Sequence, residues 1–178
     1  HTTAVVVHGL RLAQDNDVAL VPGVLERGVE WLKRHQDEQI ELLLEGERRE
    51  KLTDEQRRDH KKRYKTQASD IDALVFSVLV ENDRFDEQMQ RFLYRDRLKI
   101  SLYSQALLGL ALDEIGADEE RDMVIRNIDQ FIKVDDENQT AYLDLAEQRF
   151  WWFWYGDSVE ANAAYLRLLT RVDPKSEK

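Results

Sequence analysis

Residues 101–117 read SLYSQALLGLALDEIGA, a run in which Leu, Ala and Gly fall on every side of a helical projection. A helix without a polar face has to be buried between neighbours, because water would otherwise meet apolar side chains. Gly116 suits its C-terminal stop, where a left-handed residue turns the chain away. Upstream, SDIDALVFSVLVEND (69–83) has the same character, with Asp70 and Asp72 at the start, where the helix dipole favours acids. Between them, RFDEQMQRFLYRDRLK (84–99) is amphipathic. Downstream, DEERDMVIRNIDQFIKV (118–134) is amphipathic again, with Met123, Ile128, Phe131 and Ile132 expected inward. A last apolar, Ala-rich stretch, SVEANAAYLRLLTRVDP (158–174), is closed by Pro174. Helices that are apolar all round thus alternate with helices that carry one apolar stripe. That is the pattern of an inner layer wrapped by an outer one. Ala73 and Ala106, 33 residues apart at matching places, have the spacing of a helix-pair repeat. Other helices do not keep that spacing, so a regular solenoid is disfavoured. The expected fold is all-α, an α/α toroid, as a partial ring of about seven to eight helices.

The amino-terminal part extends the pattern. Val5, Val6, Leu10 and Leu12 are expected on one side of an opening helix that ends near Gln14, before Asp15-Asn16-Asp17. Pro22 suits the first turn of the next helix, where Val24, Leu25, Val29, Trp31 and Leu32 form a stripe. Residues 38–67 are charge-dense and read as an exposed helical hairpin inserted into a single domain spanning 1–178, with Thr53 and Asp54 as caps. Lys61, Lys62 and Arg63 could form an anion patch. Interleaved acids favour a solvated helix face instead. The opening HTTAVVVHGLRLA already reads as helix interior, so the chain is expected to be a piece of something larger.

Composition narrows the function. The 178 residues are 42% hydrophobic and 35% charged, and the seven Gly and two Pro are too few for the turns of a β-sandwich or barrel. A net charge of −10 speaks against nucleic acid, which needs a basic face. The absence of Cys excludes disulfides, thiolate metal sites and a Cys nucleophile within these residues. No apolar run reaches the roughly 20 residues of a membrane helix. His1, His8, His35 and His60 form no HExxH or other zinc spacing, so no metal and no cofactor is expected. Asp70 and Asp72 give a DID sequence like part of a toroid-cyclase acid motif, but Ala73 stands where that motif's last acid would be, and dipole and capping explain both acids. Five consecutive rings, Trp151–Tyr155, precede Gly156, Asp157 and Glu160. A carboxylate pair over a stacking platform would suit a glycosidase. The alternative is packed rings plugging the end of the helical layers, with Asp157 or Ser158 as a cap. The second reading is preferred, and no catalytic residue is assigned.

Three of these stretches together resemble the thioester domains of the alpha-2-macroglobulin and complement family. SVEANAAYLRLLTRVDP is similar to the family's VE-x-T-A/S-Y-x-L-L helix, and SLYSQALLGLAL to its tyrosine-led inner helix. HTTAVVVHGLRLAQDNDVALVPGVLERGVEWLKRHQ is similar to a paired inner and outer helix of that family. The resemblance implies an α/α toroid within a large secreted or envelope-anchored, bacterial-type protease trap, located extracellularly or in the periplasm. It implies target proteases and the parent's other domains as partners, and no catalysis by this portion. The family's reactive C-x-E-Q thioester motif lies upstream of the matched helices and cannot be within a chain without Cys, so no reactive residue carries over. Two alternatives remain from the residues themselves: an α/α-toroid enzyme of glycosidase or terpene-cyclase type, and a tetratricopeptide-like interaction module.

Overall fold

A computed structural model describes residues 1–145 and 158–174. Among the described residues the structure is all-α apart from one small hairpin, and the chain forms two compact units, residues 1–96 and 97–178.

In the first unit, α4 (Asp70–Val80) is the core element, flanked by α1 (Thr2–Asp15), α2 (Val24–Glu50) and α5 (Glu87–Asp96). Every residue of α4 from Asp72 to Val80 is buried, as an all-round apolar helix requires. Its N-terminus is closed by Asp72, whose carboxylate accepts the Ser69 N–H at 2.7 Å and the Ser69 hydroxyl at 2.8 Å. Leu25, Val29, Leu32, Gln36, Ile40 and Leu43 form the buried stripe of α2, spaced by threes and fours. Trp31 does not join that stripe. It is 47% exposed and stacks on His35, one turn further along the same side of α2.

Two further expectations for this unit are corrected. On α1 the inward residues are Ala4 and Val7, while Val5, Val6 and Leu12 are each close to half exposed. Close approach selects that face: a Cβ on Gly28 would lie 2.5 Å from Val7 Cγ2, so Val7 fills the space a side chain would take. The second correction concerns 38–67. The stretch is not a detached exposed hairpin, because α2 continues to Glu50 with Ile40, Leu43, Glu45 and Gly46 buried. Apart from Glu45, its fully exposed charges occupy one side of a helix whose other side prolongs the apolar stripe. Between Glu50 and α4 only α3 (Asp54–Asp59) is helical, and Thr53 caps it as expected. Its hydroxyl accepts the Gln56 N–H at 3.3 Å, and Gln56 Oε1 accepts the Thr53 N–H at 3.0 Å.

In the second unit, α6 (Leu102–Glu114) has ten buried residues and packs against α7 (Asp118–Asp129) and α8 (Ser158–Val172). Gly116, at φ 73°, ends α6 as expected: its N–H donates to Asp113 O, and the Ala117 N–H to Leu112 O. Residues 130–134 do not continue α7. Ile132–Asp135 form β1 and pair antiparallel with β2 (Thr140–Leu143) in the register Ile132↔Leu143. The β-branched Ile132 and Val134 favour this, and Asp135 shapes the turn by accepting the Asn138 N–H at 3.1 Å and its side-chain amide at 2.8 Å. Those bonds hold the Asp135 carboxyl below its ordinary range. Of the expected inward set Ile128 is buried, while Met123, Phe131 and Ile132 are half-buried; Val124, outside that set, is buried as well. The rings Trp151–Tyr155, with Gly156 and Asp157, lie outside the described residues.

Candidate functional site

Two places concentrate structure that a bare helix bundle would not need. The first is a strap in the first unit. Residues 60–69 run irregularly from α3 to α4 and cross α2, where the Lys65 N–H donates to Leu42 O at 2.9 Å. Only glycine permits that crossing, because a Cβ at position 46 would lie 1.9 Å from Lys65 O. The Lys65 ammonium then reaches Asp72 at 2.5 Å and Gln39 Oε1 at 3.1 Å. Asp72 therefore holds Lys65 and both Ser69 donors, and its side chain is only 1% exposed. Further along the strap, the Ala68 N–H donates to the buried Asp96 at 2.8 Å. Arg95 pairs with Asp96 at 2.7 Å and with Glu47 at 3.0 Å. At the other end, Glu45 takes Arg48 at 2.7 Å, with His60 3.4 Å away and Lys62 at 4.0 Å. The hydrogen bond from Arg48 holds the Glu45 carboxyl below its ordinary range. Every acid here is engaged by cations and N–H groups, which fixes a loop. An acid saturated with donors is poorly placed to protonate a substrate.

The second place is an apolar cleft of about 210 Å³ in the second unit, lined by Ile132, Ala141, Tyr142, Leu143, Ala163 and Leu166 among others. Its polar groups are likewise engaged. Asn162 Oδ1 accepts the Leu143 N–H at 2.9 Å, and its amide donates to Ser158 O at 2.7 Å. The Tyr165 hydroxyl donates to Asp129, and burial, reinforced by that carboxylate, pushes its pKa up. The cleft is smaller than the roughly 300–1,000 Å³ typical of ligand sites. Its size and lining suit a single apolar side chain.

The residues singled out in the sequence are scattered. Asp70 begins α4, and Asp72 belongs to the strap. Glu160 is exposed in the first turn of α8, while Asp157 lies outside the described residues. His8 pairs with Glu81 at 2.6 Å, His35 stacks on Trp31, His60 faces Glu45, and His1 stands at the start of α1. Among the described residues, no group of three or more His, Cys, Asp or Glu side chains could hold a metal ion. No described helix is long and apolar enough to cross a membrane. Lys61, Lys62 and Arg63 are exposed on the strap. Sequence reasoning missed Glu45, Gly46 and Asp96. The available signal was Gly46 itself, because a glycine within a helix costs about 1 kcal/mol against alanine and usually marks a close approach. No family model, curated protein or solved structure matches the chain.

Proposed function

We propose that the chain is a portion of the helical domain of a bacterial-type alpha-2-macroglobulin, a protease trap, and that it works by packing and binding rather than by catalysis. The observation that carries this reading is the packing of α6 on α8. The two segments whose sequences resemble the family's inner helices lie against each other, with Leu168 of α8 seated over Gly109 of α6. The alternation of enclosed α4 and α6 with one-faced α5 and α7 fits an inner and an outer layer. In this reading the helices contribute to an α/α toroid, and the parent acts outside the cell or in the envelope. Its partners are target proteases and its own neighbouring domains.

The test uses the full-length parent protein incubated with an active endopeptidase. A trapped protease keeps its activity on a small peptide substrate and loses it on a protein substrate too large to enter the trap. Equal activity on both substrates, with no change in the protease's elution volume, would sink the proposal. Hydrolysis of a glycan that is lost in Glu160→Gln would favour the toroid-glycosidase alternative instead.

A further inference from the structure

The strap between α3 and α4 carries the sequence HKKRYKTQ over residues 60–67, in irregular backbone throughout. Both sides of its basic run are tied down. On one side the His60 side chain is 11% exposed, 3.4 Å from Glu45 and edge-on to Tyr64. On the other, Lys65 holds Leu42 O with its N–H and Asp72 with its ammonium. Between these anchors Lys61, Lys62, Arg63 and Tyr64 are all exposed. Lys62 has only a marginal contact, 4.0 Å from Glu45, and its side chain is 76% exposed. Lys61 and Arg63 make no side-chain hydrogen bond or ion pair among the described residues. The backbone is already extended at His60, at φ −73° and ψ 103°.

We propose that this loop is a processing site for a serine endopeptidase of basic specificity, cut after Lys61, Lys62 or Arg63, and that the cut chain stays assembled. Such an enzyme reads one side chain, placing Lys or Arg against an acid at the base of its primary pocket. It also needs several residues of substrate in extended form, which a helix supplies only after local opening. Lysines and arginines on α2, α5, α7 and α8 are therefore cut at rates set by opening, whereas the loop presents three adjacent basic residues without that step. In the reaction, water adds across the peptide C–N bond. A carboxylate remains on the basic residue, and an ammonium forms on the residue that follows. Neither anchor is severed: His60 and Glu45 lie on the amino-terminal side of the cut, Lys65 and Asp72 on the carboxyl-terminal side, and the hydrogen bond from Lys65 N–H to Leu42 O joins the two products. The packing of α2 on α4 does not pass through the loop. The proposal does not depend on the trap reading and holds for unit 1 whichever parent carries it.

The test is a time course of the intact chain with sub-stoichiometric trypsin, its products identified by mass and by amino-terminal sequencing. The first internal cut is expected after residue 61, 62 or 63. The two products are expected to co-elute on size exclusion and to separate in urea. The exposed triple variant Lys61→Gln, Lys62→Gln, Arg63→Gln should keep its helical ellipticity and slow the first internal cut at least about tenfold. A first internal cut elsewhere, or a triple variant cut at the parent rate, overturns the site. Products that part without denaturant overturn the anchored assembly.

Discussion

Helices α4 and α6 are both enclosed on nearly every side, yet by different chemistry. Around α4 the cover includes charge: Asp72 and Asp96 are buried, and Lys65 and Arg95 reach in to them. Around α6 the buried polar residues are Ser104 and Gln105, and the charges of Asp113, Arg121 and Arg171 stand at the rim. The difference follows from what does the covering. Helix α8 satisfies its own backbone and can offer an apolar side, Leu168 among it, to α6. The strap has no internal hydrogen-bond ladder, so its N–H groups need outside acceptors: Leu42 O for Lys65 and the Asp96 carboxylate for Ala68. A loop lying over a core brings polar backbone with it, and buried carboxylates are how this unit receives it.

The sharpest way to break the comparison is Gly46→Ala. The added methyl meets backbone at 1.9 Å, so the strap must lift and take the Lys65–Asp72 pair with it. A loss of about 3 kcal/mol is expected in urea unfolding, despite the gain in helix propensity. At Gly109 the neighbour is the end of a side chain, Leu168 Cδ2 at 2.5 Å, which can rotate. Gly109→Ala should therefore cost about 1 kcal/mol. Equal costs at the two positions would mean that the strap yields as easily as a leucine.

Asp72→Ala comes next. It leaves the Lys65 ammonium and both Ser69 donors without their acceptor beneath the strap. Breaking a fully buried pair costs about 3–5 kcal/mol, and because Lys65 is partly exposed about 2–3 is expected here. Hydrogen exchange should show the loss at Leu42 to Ala73 before it appears in α5. Uniform loss across unit 1 would argue against a local clamp.

How much of this was legible in the sequence follows from the same physics. Helices α4 and α6 were plain because an apolar run with no polar side has one stable use, and the caps at Thr53 and Gly116 carry local chemistry that residues state directly. The inward face of α1 was not legible, because Val5 and Val6 are as apolar as Val7 and the choice lies with Gly28 on another helix. The β-hairpin was hidden because Ile132 and Val134 fit either period in so short a stretch. The strap was hidden because charge density along 38–67 looks the same whether the charges are solvated or paired across 26 residues, as Lys65 is with Gln39. No local pattern encodes such a pairing.

The two units should also differ in their response to pH. The Glu45 carboxyl lies below its usual range, so its contribution is present at neutral pH and is lost as pH falls below about 4 through the folded-state value. The Tyr165 hydroxyl is pushed up by burial and by Asp129, so its contribution is complete below a pH of about 10 and is lost as pH rises past that. Acid should weaken the strap and, in the second unit, the Asp135 turn, whereas alkali should loosen α8. In an alkaline urea series Tyr165→Phe should cost about 1 kcal/mol at neutral pH and flatten the fall above pH about 10. An unchanged alkaline slope would remove Tyr165 as its source.

The smallest effect expected is at Arg171, and it tests the rim half of the comparison. Arg171 sits 3.1 Å from Asp113 and 2.7 Å from Glu114, a geometry as close as that of the Arg95–Asp96 pair. Distance alone would rank the two alike. Solvent separates them: the Arg171 side chain is 39% exposed and Glu114 is 49% exposed, whereas Asp96 is 2% exposed. Water can replace most of what Arg171→Ala removes, and Asp113 keeps Arg121 at 3.0 Å. A cost below about 0.5 kcal/mol is expected, shrinking further in high salt. A loss near that of Asp72→Ala, insensitive to salt, would mean that the second unit also depends on enclosed charge, and the division between loop-covered and helix-covered cores would not hold.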